Sequence, residues 1–428
     1  MIQQQTPAGE SSGLPGVGCV LVNYRSPREM LERCLKSILQ SSGPVRVKVV
    51  LVDNASGDGV IESVRRDFPG VDVIELPENG GFAAAVNLGL ARLTEPYVLM
   101  LNTDAVLTGQ ALIKMAEALG DAGDGVAGVA PKMMSSAHEG VIDAIGIVMP
   151  PTGASFNRGI GQCDLGQYDS RDQVAGVCFG AALLRTDLFK PAAVGPLYED
   201  YFLYFEDSDW CMRAASQGYS FLTVPEAVVL HMHSGITRHE SLSFKYRLIE
   251  LNTLMIVTRT FESPLLTMRI AASRISRLLA RTFIRRRFIR ANLSTIASYL
   301  VSLPRLLGER RRLKARRTAP DDLIFRMAAG EDAYFDTVNY RPQRCLDSLI
   351  DTYQRLAATG GDPRQARILA ALNWLKDGNT RGETGEMEPG TMDLLADLPP
   401  CATELLSRAA ADRQTSIPLI PDEGNQPD

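Results

Sequence analysis

The chain has 428 residues, 45% of them hydrophobic, and a formal net charge of −5. This length is enough for one large domain with appendages or for two or three domains, and the apolar content supports a sizeable core. Seven scattered cysteines without a CxxC pair argue against a disulfide framework or a zinc site and favour reduced thiols in a cytosolic protein. No apolar run approaches the roughly 18–20 residues of a transmembrane helix.

The first part of the chain alternates short apolar runs with amphipathic segments. Residues 1–15 have neither a basic n-region nor an apolar h-region, so we expect a disordered leader and not a signal peptide. Apolar runs of strand length follow at 17–22, 47–52, 71–76 and 97–101. Helical spacing of apolar residues occurs at 28–40, 60–68, 81–93 and 110–119. This alternation predicts an α/β fold with a parallel, doubly wound sheet.

From about residue 125 the links become longer and richer in Gly and Pro. Further strands are expected at 125–134, 141–148, 174–184 and 219–224. Helices are expected at 207–217, which stops at a glycine, and at 241–261. Helical spacing continues over 264–317, with a break expected at Pro304. We accordingly divide the chain into a leader (1–15), a main domain (16–262), a basic helical segment (263–318), a helical region (319–376) and a mostly disordered tail (377–428) that contains a short helix near 403–412.

Ligands of doubly wound sheets bind beyond the carboxyl ends of the strands. The residues at these ends are polar and comprise Asn23-Tyr24, Asp53-Asn54, Pro77-Glu78-Asn79 and Asn102-Thr103-Asp104. Asp104 is suited to hold a hard divalent cation against a diphosphate, or else it closes the strand with an Asx turn. Asp53 and Asn54 suit a pyrimidine edge, or they cap the next helix.

Three further features leave alternatives open. The small residues that follow Gly81 permit close approach of a ligand or tight packing on the sheet, although packing does not readily explain Asn87. His231 ends an apolar run and is either structural or a ligand that completes a divalent site with Asp104. At 201–210 aromatic residues run directly into carboxylates, which marks either a helix start or a site.

Absent motifs narrow the class of protein. The sequence has no GxGxxG after a strand, no GxxxxGK[ST] and no GxSxG. Dinucleotide oxidoreductases, P-loop enzymes and α/β-hydrolases are therefore disfavoured.

Taken in order, these segments resemble the family 2 glycosyltransferases with the GT-A fold, especially the bacterial rhamnosyltransferase and galactofuranosyltransferase-like branch. The matching pieces, over roughly 15–260, are Val22-Asn23-Tyr24, Val52-Asp53-Asn54-Ala55-Ser56, Glu78-Asn79-Gly80-Gly81-Phe82-Ala83, Asn87, Leu101-Asn102-Thr103-Asp104, 176–184, Phe205-Glu206-Asp207-Ser208-Asp209 and His231. The resemblance implies a Rossmann-like nucleotide-binding half, a mixed acceptor half and a helical C-terminal extension.

The resemblance also implies roles for these residues. The nucleotide-sugar would be bound by Asn23, Tyr24, Asp53, Asn54, Asn79, Gly81, Asn87, Asn102 and Asp104. Asp104 and His231 would hold Mg²⁺ or Mn²⁺, although Asn102 stands where many relatives have the first acid of the metal motif. Asp207 would be the general base, with Glu206 in support and Asp209 as first-turn charge.

The implied activity is inverting transfer of a sugar, rhamnose or galactofuranose-like, from a nucleotide-diphosphate sugar to a glycan or lipid-linked acceptor in cell-envelope polysaccharide synthesis. One alternative is a sugar-1-phosphate nucleotidyltransferase, which the loop Asn23-Tyr24-Arg25-Ser26-Pro27 disfavours because it lacks that class's Gly- and Arg/Lys-rich composition. Another is a non-catalytic, membrane-associated scaffold with the same fold, which the retention of Asp104, Asp207 and His231 disfavours.

The charge of the chain is distributed unevenly. Residues 269–317 contain fourteen Arg, one Lys and a single acid, Glu309, so this segment carries +14 and the remainder −19. Sparse aromatic residues argue against nucleic acid as the partner. A helical face packed on the acidic domain and an amphipathic segment (265–317) lying on anionic lipid both stay open. The second alternative places the protein in the cytoplasm, peripheral on the inner face of the membrane; a homo-oligomer is left open.

Overall fold

The computed structural model describes residues 15–232, 241–284, 288–328, 331, 335–336, 341–342, 345–358, 363–381 and 398–414. The expectations for residues 1–14 of the leader and for most of the tail therefore lie outside the described residues. All seven cysteines are described, and all are free thiols.

The first half of the fold is a parallel sheet with helices on both faces, as predicted. Its strands are β1 (Val17–Asn23), β2 (Val47–Asp53), β3 (Asp72–Glu75) and β4 (Tyr97–Asn102). Its helices are α1 (Arg28–Ser41), α2 (Val60–Asp67), α3 (Phe82–Leu90) and α4 (Ala111–Asp121). The strand order is β4-β1-β2-β3, and β1 pairs in parallel with both neighbours. Because helices cover both faces, every residue of β1 is buried, which explains its continuous apolar run.

The second half extends this sheet with mixed strand directions. It contains β5 (Ala105–Leu107), β6 (Val126–Ser135), β7 (Ile142–Ala144), β8 (Ile147–Val148), β9 (Phe156–Asn157), β10 (Gln173–Val174), β11 (Ala181–Arg185), α5 (Glu206–Ser216) and β12 (Ser220–His231). The order β10-β12-β6-β11 continues from β4, and β11 runs antiparallel to β4. The fold is therefore the predicted mostly parallel sheet with a mixed second half.

Two strands expected from apolar runs are wrong in extent. The run 141–148 is divided into β7 and β8 at Gly146, whose φ of +92° suits glycine. The run 174–184 forms strand only at its two ends, because β4 ends at Asn102, opposite Gly180, and residues before Gly180 lie beyond it; the carbonyl of Gly176 instead accepts from the backbone N–H of Ile147. The departure places residues 178–180 at the carboxyl end of the sheet.

Helices dominate the remainder of the described chain. They are α6 (Leu242–Thr260), α7 (Pro264–Ile284), α8 (Ile289–Arg316), α9 (Asp321–Arg326), α10 (Cys345–Ala358), α11 (Pro363–Arg381) and α12 (Pro400–Gln414), with a two-stranded ribbon of β13 (Phe335–Asp336) and β14 (Arg341–Pro342). Over the described residues, no helix combines the length and apolar character needed to span a bilayer.

The expected break at Pro304 is wrong, because α8 continues through it. A proline inside a helix removes one backbone hydrogen bond, here the bond to the carbonyl of Leu300. Leu300 and Pro304 are both exposed, so water can satisfy that carbonyl on the solvent side.

The core lies in two layers, one on each face of the sheet. Alternate residues of β1 supply them: Val20 and Val22 face one layer, and Cys19 and Leu21 face the other. A third cluster joins α10, α11 and α12. A fourth joins Tyr201 to apolar residues of α6, α7 and α8, and so ties the aromatic run before α5 to the basic helices.

Candidate active site

A cleft opens at the carboxyl ends of β1 and β4, where the topology predicts a ligand. Nine of the predicted site residues line it, namely Tyr24, Asn54, Asn79, Gly81, Asn102, Asp104, Glu206, Asp207 and His231. Three others, Asn23, Asp53 and Asn87, do not line it. Apolar side chains from the aromatic run and from α6 also line it, among them Phe202, Phe244 and Ile249.

Asn23 and Asp53 lie at the matching ends of β1 and β2 and bond to each other. The amide of Asn23 donates to Asp53 Oδ1 at 2.7 Å and to Ser56 Oγ at 3.0 Å. Asp53 also accepts from the backbone N–H and the hydroxyl of Ser56. Both residues are almost completely buried, so they shape the loop after β2 from beneath the cleft. Their direct contact with a nucleotide stays a prediction.

Asn54 ties the loop after β2 to the loop before α3. Its side chain accepts from the N–H of Gly80 and donates to the carbonyl of Gly81. Gly81 has a φ of +88°, and a Cβ there would lie 2.5 Å from the carbonyl oxygen of Phe202. Only glycine permits this approach, which brings the loop before α3 against the aromatic run.

Asn87 and the small residues around it have different roles. Ala83 and Ala85 are fully buried, and a Cβ at Gly89 would lie 2.7 Å from Val20, so the small residues pack on the sheet. The side chain of Asn87 exchanges hydrogen bonds with the backbone of Leu197. It thereby holds the loop that precedes the aromatic run, and a contact with the donor stays a prediction.

Asp104, His231 and Asp143 form a buried chain of contacts. His231 Nε2 lies 3.2 Å from Asp104 Oδ1, and its Nδ1 lies 2.8 Å from Asp143 Oδ2. Burial lowers the pKa of His231, but the two carboxylates outweigh it and hold this pKa well above its usual value. Asn102 Nδ2 lies 3.4 Å from the same imidazole. The structure thus brings the two predicted metal ligands together.

Asp143 is a site residue that the sequence reasoning missed. It is an acid within the apolar run 141–148, it is only 4% exposed, and it fixes the orientation of the His231 ring. A second carboxylate on the far nitrogen is the usual support for a metal-binding histidine. A buried acid inside a strand-like run was the available signal.

The donor set fits a divalent cation that shares its ligands with a diphosphate. In the described chain, no group of three or more His, Cys, Asp or Glu side chains is arranged to hold a metal by itself. Mg²⁺ and Mn²⁺ sites of this kind use one or two protein ligands and complete their shell with phosphate oxygens and water. Asp104 and His231 supply such a pair.

The aromatic run enters α5 through a strained turn. Tyr204 and Phe205 have φ angles of 70° and 69°, in the left-handed region that side chains other than glycine disfavour. Glu206 and Asp207 then begin the helix. Asp207 stays partly accessible from the cleft and accepts from the N–H groups of Ser208 and Phe179.

The two acids share an apolar setting that favours their neutral forms. Burial, followed by the charge of Asp207, raises the pKa of Glu206 to about 8. Burial also raises the pKa of Asp207, although the N–H groups of Ser208 and Phe179 oppose the shift. A carboxylate with a raised pKa is a stronger base, which is the property that proton abstraction from a hydroxyl requires.

Asp209 is more than first-turn charge, contrary to expectation. It is fully buried, and its carboxylate accepts from Arg213, Arg259 and the hydroxyl of Tyr201. Arg259, on α6, also bonds to Asp200 and to Glu309 of α8. This network ties α5 to the C-terminal helices.

The comparison with known proteins gives the class that this fold and site define. Residues 19–190 match the family model for glycosyl transferase family 2. An N-acetylglucosaminyl-diphospho-decaprenol L-rhamnosyltransferase from Mycobacterium tuberculosis is 30% identical over 240 residues, which are 50% of this chain and 74% of that relative. The chain belongs to glycosyltransferase family 2, and its mixed sheet is the GT-A fold. It is a glycosyltransferase, as the resemblance implied.

Solved structures include similar folds at low identity. One is GalNAc-T7 with UDP, GalNAc and Mn²⁺, with a TM-score of 0.44 and 12% identity over 58% of this chain. The present chain spans 51% of that protein. Another is the mannosyltransferase PcManGT from Pyrobaculum calidifontis with GDP-Man and Mn²⁺, with a TM-score of 0.42 and 17% identity over 72% of this chain and 88% of that one.

Proposed function

We propose that this glycosyltransferase moves a sugar from a nucleotide-diphosphate donor to an acceptor hydroxyl with inversion, and that Asp207 is the general base. The observation that carries the proposal is the position of Asp207, a partly accessible carboxylate of raised pKa that lines the same cleft as Asn102 and Asp104 at the end of β4. Inverting transfer needs one such base, in contrast to the paired acids of glycosidases.

In the proposed reaction, Asp207 takes the proton of the acceptor hydroxyl as its oxygen attacks the anomeric carbon. The bond from that carbon to the diphosphate oxygen breaks, and the nucleoside diphosphate leaves with the electron pair. Glu206, protonated near neutral pH by its raised pKa, is placed to donate a hydrogen bond in the cleft without competing as a base. In the loops after β1, β2 and β3, the donor is bound by Tyr24, Asn54 and Asn79.

Asp104 and His231 hold a divalent cation, Mg²⁺ or Mn²⁺, in this proposal. When bound, the cation neutralises the charge that develops on the departing diphosphate. Asp143 keeps the His231 ring turned toward Asp104. Chelation with EDTA and the substitution Asp104→Ala are each expected to abolish transfer, and full activity in excess EDTA would remove the metal from the proposal.

For the substrates, we propose a rhamnose or galactofuranose-like donor sugar and a glycan or lipid-linked acceptor in cell-envelope polysaccharide synthesis. The family 2 relative from Mycobacterium tuberculosis, whose name specifies L-rhamnosyl transfer to a diphospho-decaprenol acceptor, supports this choice. The apolar wall formed by Phe202, Phe244 and Ile249 is compatible with an acceptor that has an apolar part. A binding screen of UDP- and dTDP-sugars with Mn²⁺ identifies the donor.

The decisive experiment is Asp207→Asn. Transfer is expected to fall by about three orders of magnitude or more, since the base is removed, while the dissociation constant of the donor stays nearly unchanged. Asp124→Asn, an exposed acid outside the cleft, serves as the control for loss of one charge. Turnover of Asp207→Asn near the wild-type rate would show that Asp207 is not the base.

We further propose that α7 and α8 dock on an anionic membrane surface from the cytoplasmic side. These helices expose a set of large apolar side chains, which comprises Leu265, Met268, Leu279, Phe283, Ile284, Leu293, Leu300, Val301 and Leu307. Phe283 and Val301 are 83% and 81% exposed. Exposed arginines, among them Arg269 and Arg277, lie beside them and complement anionic headgroups.

The basic segment also forms ion pairs with neighbouring acids. Arg274 bonds to Glu250, Arg305 to Asp200, and Arg317 to Asp321. Such paired arginines are not available to lipid, so the proposed contact with headgroups falls to exposed arginines such as Arg269 and Arg277. A second copy of the same surface is a poor occupant, because it would bring like charges together.

Cosedimentation with vesicles tests this docking. The double substitution Phe283→Ser and Val301→Ser is expected to weaken binding to phosphatidylserine vesicles at least about tenfold, because it removes apolar surface that the bound membrane would bury. Leu39→Ser, which changes an apolar residue 58% exposed on α1, is the matched control. Equal binding of the double variant and wild type, or no binding of wild type to anionic vesicles, would contradict the docking.

A further inference from the structure

A buried amide on α6 bonds to the backbone of the turn that begins the catalytic helix. Asn252 is 1% exposed, and its Nδ2 donates to the carbonyls of Leu203 and Tyr204 at 2.9 and 2.7 Å. These two carbonyls belong to the residues before Phe205, the last residue ahead of α5. Asn252 does not line the cleft.

The turn held by Asn252 is energetically unfavourable by itself. A residue other than glycine in the left-handed region costs about 1–2 kcal/mol, and Tyr204 and Phe205 adopt it in succession. Such a conformation persists only where surrounding contacts determine it. On the donor side, the N–H of Phe82 donates to the carbonyl of Phe202 at 2.7 Å. On the other side, the amide of Asn252 bonds to the carbonyls of Leu203 and Tyr204.

The chemistry of Asn252 suits holding the turn better than it suits packing. Among the described residues, Asn252 Oδ1 is buried without a hydrogen-bond partner. An unsatisfied buried oxygen costs about 1–3 kcal/mol, which a leucine of similar volume would avoid. The amide supplies two donors to two adjacent carbonyls, and an aliphatic side chain supplies none.

We infer that Asn252 is a positioning residue of the transferase: it clamps the strained turn 203–205 and thereby fixes Asp207 relative to the donor-binding loop. The inference rests on the proposed role of Asp207 as base. Without the clamp, the turn relaxes toward negative φ and the first turn of α5 rotates with it. A displacement of about 1 Å at a reacting group costs on the order of 10²-fold in rate.

The test compares two substitutions of Asn252 with a matched control. Asn252→Ala removes the side chain, and Asn252→Asp keeps its shape but removes both donors. The control is Asn292→Ala on α8. Like Asn252, Asn292 is buried and has a buried Oδ1 without a partner among the described residues; its Nδ2 donates a hydrogen bond to Thr282. Asn292 lies far along the chain from the turn and has no part in the cleft.

Both Asn252 variants are expected to lose at least about 30-fold in kcat, while the donor dissociation constant changes less than about threefold. Asn292→Ala is expected to keep kcat within about threefold at a similar loss of melting temperature. The inference is overturned if Asn252→Asp folds and keeps its kcat, or if Asn292→Ala loses kcat equally. Asn252→Asp serves alone if Asn252→Ala does not fold.

Failure of the inference and failure of the proposed function give different results. If Asp207→Asn is inactive and Asn252→Asp is fully active, Asp207 stays the base and the clamp is wrong. If Asp207→Asn is active, the base assignment fails, and with it the inference. The split between kcat and donor affinity separates positioning from a general loss of structure.

Discussion

Glu206→Gln is expected to stabilise the protein in a pH-dependent manner. The folded protein binds the Glu206 proton more tightly than the unfolded chain, since its pKa is about 8 against an ordinary value of 4.5. The stability contributed by this proton is complete below pH 4.5 and is lost as the pH rises toward 8. At 1.36 kcal/mol for each pH unit, ionisation of Glu206 in the unfolded chain lowers the free energy of unfolding by about 3 kcal/mol at pH 7.

Glutamine is neutral at every pH, so the free energy of unfolding of Glu206→Gln is not lowered in this way. The difference in unfolding free energy between Glu206→Gln and wild type is therefore expected to be below about 1 kcal/mol at pH 5 and to grow to about 3 kcal/mol at pH 7. Urea unfolding of both proteins at four values from pH 5 to 8 measures it. Transfer activity is expected to fall in the same variant, because Glu206 lines the cleft beside Asp207, the proposed base.

Glu117→Gln, on the exposed side of α4, is the control and is expected to show no pH-dependent difference. A stabilisation of Glu206→Gln that is the same at pH 5 and pH 8 would refute the reasoning. So would a difference that shrinks as the pH rises, since it would mean that the folded protein favours the ionised form of Glu206.

Three further outcomes are expected. Gly81→Ala should lower kcat at least about tenfold, because the added Cβ would clash with the Phe202 carbonyl at a positive φ. Gly80→Ala is the control, since its Cβ makes only ordinary van der Waals contact, and equal rates of the two variants would contradict the close approach. Asp143→Asn should weaken Mn²⁺ binding about 10–100-fold in a direct titration, and unchanged affinity would remove its supporting role. Burial raises the pKa of Asp207, and the proposed base must be ionised, so kcat should fall as the pH is lowered, with a midpoint above the ordinary 3.8. Full kcat at pH 4 would contradict the raised pKa or the role of Asp207 as base.

The sheet could be predicted because its signals are local. Apolar runs of strand length alternate with helical spacing up to residue 121, and the topology rule then locates the ligand edge without any tertiary information. Asp104 and His231 lie 127 positions apart but meet, since each follows or ends a strand at that edge.

The parts that could not be predicted depend on contacts over long sequence distances. Asp143 meets His231 across 88 residues, and Asn252 meets the turn across 48 or more. Asn23 and Asp53 lie at polar strand ends, yet they form a hydrogen bond with each other. A sequence pattern does not distinguish such a pair from two side chains that bind a ligand. The left-handed conformation of Tyr204 has no sequence signal, because it opposes the preference of its own residue type.

The ion network around Arg259 has a consequence for how the protein unfolds. Arg259 joins Asp209 of α5 to Glu309 of α8, and Arg310 donates to the carbonyl of Thr258 near the end of α6. Separating these helices would leave charges buried without partners, which costs several kcal/mol. Amide hydrogens of α5, α6 and α8 should therefore exchange with solvent in one shared opening event, so that the protein loses the packing of α8 and the position of α5 together or keeps both.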